Sequence, residues 1–130
     1  MNADVNRLTE GGQKDGLWIE ADDAGASTGY YAAGYREGLW PRYEGRVLRK
    51  LIPYSKGVRK GIGYVFNGRG GLAMTVEFDN DRIHGLVEFF STDQERLATY
   101  RYIYDKLSEV LYYVPREDSP SKSKDFVPEI

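Results

Sequence analysis

Ala73-Met74-Thr75-Val76-Glu77-Phe78-Asp79-Asn80-Asp81-Arg82-Ile83-His84-Gly85-Leu86-Val87-Glu88-Phe89-Phe90 contains one whole structural unit of this chain. Residues 73–78 and 86–90 are rich in the β-branched, aromatic and large apolar side chains that suit a pleated, half-buried surface. Between them Asp79-Asn80-Asp81-Arg82 is turn-forming, and an Asp or Gly there tolerates the positive φ of a tight hairpin. The stretch therefore reads as a β-hairpin. Gly85, at the start of the second strand, is expected to omit a Cβ where a neighbouring aromatic ring crosses the backbone.

The same unit recurs on both sides. Gly16-Leu17-Trp18 returns as Gly38-Leu39-Trp40, then altered as Gly61-Ile62-Gly63-Tyr64 and as Gly85-Leu86-Val87. The glycines are spaced 22, 23 and 24 residues apart. Seven residues before a glycine lies an aromatic, and four before it lies a turn former. The sets are Tyr31/Gly34/Gly38, Tyr54/Gly57/Gly61 and Phe78/Asp81/Gly85. A worn copy follows as Tyr102/Asp105/Glu109, and Thr9/Gly12/Gly16 is a truncated copy at the front. A fixed period of this length marks a repeat architecture, and it explains why 15 glycines imply order rather than disorder.

Alternation supports strands. Tyr100, Tyr102 and Tyr104 share one face, and Thr99, Arg101 and Ile103 the other. Pro53 belongs at a strand edge or start. The one segment with helical character, Ser91 to Leu97, is read as the turn of the fourth hairpin. The expected fold is all-β: an elongated, twisted antiparallel sheet of about ten strands in tandem hairpins, about 45 Å long. The repeat domain spans 1–114. Residues 115–130 carry three prolines and Ser121-Lys122-Ser123-Lys124 without any repeat, and are expected to form a flexible or loosely docked tail.

Charge is distributed unevenly. Residues 1–35 carry a net −4, residues 36–69 hold nine basic and two acidic side chains for a net +7, and residues 70–130 carry −5. Within the basic middle, Arg42, Arg46, Arg49, Lys50, Lys56, Arg59, Lys60 and Arg69 alternate with Tyr43, Tyr54 and Tyr64. Such a band attracts an acidic protein or an anionic headgroup, or is an ordinary solvated face. A grip on nucleic acid is not expected.

Few residue patterns suggest chemistry. There is no cysteine, so thiolate metal sites and disulfides are excluded. His84 is the sole histidine; it occupies the repeat position of Asp15, Glu37 and Lys60, which makes it an exposed turn residue. Gly68-Arg69-Gly70-Gly71 lacks the Lys-Ser/Thr and following helix of a phosphate loop. Asp22-Asp23 and Asp79-Asn80-Asp81 lack the spacing and terminal glutamate of a calcium loop. No cofactor, metal or catalytic residue is expected. No stretch approaches the roughly 20 apolar residues that cross a bilayer, and no signal-like run opens the chain, so a cytoplasmic location is expected.

The run Tyr54-Ser-Lys-Gly57-Val-Arg-Lys-Gly61-Ile-Gly63-Tyr64-Val-Phe-Asn-Gly68 resembles a MORN repeat. Lys14-Asp15-Gly16-Leu17-Trp18 and Arg36-Glu37-Gly38-Leu39-Trp40 resemble the bacterial variant of that repeat, whose members are described as antitoxin or immunity components of toxin–antitoxin systems. The resemblance covers roughly residues 9–114. The fourth unit departs from it at Asp81 and Val87, and the fifth at Glu109. It implies structural roles for Gly16, Gly38, Gly61, Gly85, Trp18 and Trp40, and no catalytic residue. The expected function is binding and neutralising a cognate protein, such as an acidic toxin, through Arg42, Arg46, Arg49, Lys50, Arg59, Lys60, Tyr43 and Tyr64. The alternative is a scaffold or membrane-surface module that uses the same band on anionic lipid.

Overall fold

A computed structural model describes residues 5–130. The described residues form eleven strands and no helix. In chain order these are β1 (Arg7–Leu8), β2 (Lys14–Ala21), β3 (Ala26–Ala32), β4 (Tyr35–Glu44), β5 (Val47–Ser55), β6 (Val58–Arg59), β7 (Gly61–Phe66), β8 (Leu72–Asp79), β9 (Arg82–Phe90), β10 (Arg96–Ile103) and β11 (Lys106–Tyr113). They make one open antiparallel sheet whose spatial order follows the sequence, with the short β6 pairing β5 off the main path. This is the tandem-hairpin sheet expected from the repeat. The segment read as the fourth hairpin's turn joins β9 to β10, where the Ser91 N–H donates to Glu95 O at 2.9 Å.

Four two-residue turns share one end of the sheet: Ala33-Gly34, Lys56-Gly57, Asn80-Asp81 and Tyr104-Asp105. Both residues of each have positive φ, the type I′ geometry whose twist matches paired strands. These turns also tie the repeats together. The N–H groups of Gly34, Gly57, Asp81 and Asp105 donate to the carbonyls of Lys14, Arg36, Arg59 and Ile83, at 2.8 to 3.2 Å. Each repeat thus closes on its predecessor, as quasi-one-dimensional architectures require.

The strand-initial glycines have a different cause from the one expected. Gly16, Gly38, Gly61 and Gly85 all have positive φ, and a Cβ on Gly38 would meet nothing within 4 Å. The backbone twist there, rather than a crossing ring, selects glycine. Ring crossing operates at Gly29 and Gly63, and joins a positive φ at Gly57, where a Cβ would lie 2.8 Å from Tyr35 Cδ1. A Cβ on Gly29 would lie 2.4 Å from Trp40 Cε2, and one on Gly63 2.9 Å from Phe78 Cε2.

The core lies on one face of the later strands. Ile52, Met74, Val76, Phe78, Ile83, Val87, Phe89, Leu97, Ala98, Tyr100 and Tyr102 form a single buried cluster. Val76 pairs with Val87 and Val87 with Tyr100, so a buried row crosses three strands in register. Residues 115–130, assigned from sequence to a flexible or loosely docked tail, run over this cluster. Tyr102 Oη donates to Phe126 O at 2.7 Å, Tyr100 Oη to Ser121 O at 2.9 Å and Tyr113 Oη to Pro120 O at 3.0 Å. The Phe126 ring sits 6.1 Å from that of Phe89, and Phe126 and Ile130 pack against the cluster. Burial pushes the Tyr100 and Tyr102 hydroxyls up to about 12. Tyr104 leaves the face of Tyr100 and Tyr102. It enters the last turn at φ 45° and stacks on His84 with ring centroids 4.2 Å apart.

Candidate binding site

On the core-bearing face of β2–β5, side chains alternate between aromatic and cationic. Trp18, Tyr31, Trp40 and Tyr54 form a ladder of edge-to-face rings with successive centroid distances of 5.7, 5.1 and 6.4 Å. Offset or edge contacts suit the ring quadrupoles. Trp40 is only 2 % exposed, and its indole N–H donates to Tyr30 O at 3.2 Å. The cations stack over the rings: Lys14 lies 4.7 Å from the Trp18 centroid, Arg36 4.2 Å from that of Trp40, and Arg59 4.5 Å from that of Phe78.

Glu20 joins this ladder from β2. It accepts from Lys14 Nζ at 2.8 Å, Tyr31 Oη at 2.8 Å and Arg36 Nη2 at 2.7 Å. Burial alone would raise its carboxyl; the three donors outweigh that and bring it down to about 2. Burial likewise opposes the charge on Arg36, but hydrogen bonding to Tyr31 and Glu20 raises its pKa further.

The ladder ends in an open pocket of about 260 Å³. Its floor is Trp40, Ile52 and Tyr54, and Arg36, Arg42, Lys50 and Arg59 surround it. Arg42 and Lys50 are direct cross-strand partners. Asp81 lines the same pocket and accepts from Arg59 Nε at 2.7 Å. The hydrogen bond from Arg42, at 3.0 Å, holds the Asp22 carboxyl down to about 2.

The basic band read from sequence is therefore divided. Arg42, Lys50 and Arg59 come together in the pocket. Arg46 lies in the β4–β5 turn, and Arg49, at a bulge opposite the Arg42/Tyr43 step, reaches Glu44 and Phe66 O. Lys60 lies near the opposite end of the sheet, between β6 and β7. Tyr43 and Tyr64 lie on the other face, since Tyr43 alternates with Arg42, and Tyr64 with Gly63, which faces Ile52 and Phe78. Arg36 and Lys14 were not singled out from sequence. The signal was present: the position two before each early strand-initial glycine is Lys14, Arg36 or Arg59, and later it is Ile83. Of the repeat residues, Trp40 is buried and Trp18 half-buried, its indole donating to Arg7 O at 3.1 Å.

The other face divides the same way. Over β2–β7 it carries Ile19, Tyr30, Leu39, Tyr43 and Ile62, each 39–60 % exposed. Over β8–β10 it carries Thr75, Glu88 and Thr99, paired in register, with Arg101 opposite Leu86 and Glu77 at the irregularity between Val76 and Phe78. The Gly68–Gly71 stretch is a hairpin turn in which Asn67 Oδ1 accepts from the N–H groups of Arg69 and Gly71. His84 Nδ1 accepts from the Tyr104 N–H at 3.3 Å. Among the described residues no group of three His, Asp or Glu side chains is placed to hold a metal ion, and no helix is long and apolar enough to cross a membrane. Compared with known proteins, the chain matches no family model and no curated relative.

Proposed function

We propose that this protein is a MORN-like binding module of the antitoxin or immunity kind, which holds and neutralises a cognate protein on the exposed face of β2–β7. One observation supports the reading above the others: a row of exposed apolar and aromatic side chains across β2–β7, on the face where the middle of β8–β10 is mostly polar. Ile19, Tyr30, Leu39, Tyr43 and Ile62 stand in water there, while β8–β10 present Thr75, Glu88, Thr99 and Arg101 on the same face, with the half-buried Leu86 among them and Ile103 exposed at the end of β10. Tyrosine-rich patches with an apolar centre suit protein interfaces. The exposed cations Arg46, Lys56 and Lys60 lie at the ends of the strands that carry this surface, so a partner with an apolar centre and an acidic rim complements it.

The test is protection of growth against a toxin encoded beside this chain, with direct binding measured in parallel. Tyr30→Glu with Leu39→Glu should abolish protection and weaken binding at least about a hundredfold, with the melting temperature nearly unchanged. Undiminished protection by that variant would defeat the reading. Binding to anionic vesicles that vanishes at high salt would favour the membrane-surface alternative instead.

A further inference from the structure

We propose that the pocket between β4, β5 and β6 is a binding site for a small soluble dianion bearing carboxylate or phosphate groups. The site is on the face opposite the proposed protein-docking surface and does not depend on it.

Three features of the pocket point to such a ligand. The first is charge. Four cations line it against one side-chain carboxylate, Asp81, which Arg59 engages, and Ile130, the last residue of the chain described, completes the lining. Among the described residues Lys50 has no ion-pair partner.

The second is preorganisation. Each arginine is anchored, leaving further donors of its five-donor fork for a ligand. Glu20 holds Arg36 at 2.7 Å, and the ring of Trp40 supports it. Asp22 holds Arg42 at 3.0 Å. Asp81 holds Arg59 at 2.7 Å, with Phe78 beneath it. Ordering these long side chains in advance removes an entropic cost from binding.

The third is the pairing of Arg42 with Lys50 directly across two strands. Like charges in that relation destabilise a sheet. An anion lying between them reverses the sign of the interaction. The pocket's 260 Å³ exceeds the roughly 30 Å³ share of one water several-fold, so it accommodates a small organic dianion above the Trp40 and Ile52 floor.

Titration of the full chain with inorganic phosphate and, separately, with succinate tests the site and distinguishes the two anion chemistries. Amide and indole shifts report where each binds. The expected result is saturable one-to-one binding of at least one anion, with shifts centred on the Trp40 indole and on β4 and β5. Lys50→Gln and Arg42→Gln should each weaken it about tenfold or more, and Arg69→Gln in the remote β7–β8 turn should not. Without anion, Lys50→Gln should melt no lower than the parent, because it removes a like-charge pair. The proposal is overturned if neither anion saturates by roughly 10 mM at low ionic strength, or if Lys50→Gln binds as the parent does.

Discussion

In β2 and β4 the position two residues before the strand-initial glycine holds Lys14 or Arg36, whereas in β9 the same position holds the buried Ile83. That single repeat position separates the molecule into two differently stabilised regions. Before β6, edge-to-face rings are capped by cations, and Glu20 accepts hydrogen bonds from Lys14, Tyr31 and Arg36. After β7, the same face is a continuous apolar cluster roofed by residues 115–130. The backbone device is identical in both, since each type I′ turn donates to the preceding unit in the same way. The repeat thus fixes register, while the choice of one side chain per unit goes with whether a face is an apolar core or a charged, open surface.

Tyr102→Ala should produce the largest effect and sharpen this contrast. Its ring is wholly buried and its hydroxyl holds the tail at Phe126. Loss of a ring that size from a core costs about 3–5 kcal/mol. Trp18→Ala, at the half-buried end of the ladder, should cost less than half as much. Denaturant unfolding measures both, and equal losses would erase the distinction between the two regions.

Acid should act through the first region, with a smaller effect. The Glu20 carboxyl is held down to about 2, against an ordinary value of 4.5. A depressed folded-state value means its contribution is present above the ordinary value and is lost as pH falls toward the folded one. Stability should therefore decline between about pH 4.5 and 2, and Glu20→Gln should remove part of that decline. Both tryptophans, Trp18 and Trp40, lie in the ladder, so their fluorescence reports on this region. An acid titration identical in parent and Glu20→Gln would contradict the role given to Glu20.

The hairpin order was legible because glycine and Asp mark turns at fixed offsets, and turn geometry is a local property of the chain. The reason for the strand-initial glycines was not, since a positive φ and a crossing ring leave the same mark on the sequence. Only the structure separates Gly38 from Gly29. The basic band looked like one surface because Arg42, Tyr43, Arg59 and Lys60 are adjacent in sequence. A period of two sends Arg42 and Tyr43 to opposite faces, and the hairpin turns carry Arg46 and Lys60 toward opposite ends. The packing of 115–130 was hidden by a polar, proline-rich composition. Its contacts rest on Phe126 and Ile130, which pack against the cluster, on the buried Pro128, and on backbone carbonyls that accept from Tyr100, Tyr102 and Tyr113.

Amide hydrogen exchange resolved along the chain tests the two-region account most directly. Amides in β8–β10 lie beneath the roofed cluster and should exchange only through global unfolding, whereas those in β2 and β3 should exchange faster, by local opening. Equal protection in the two regions, or slower exchange in β2 and β3, would contradict the account.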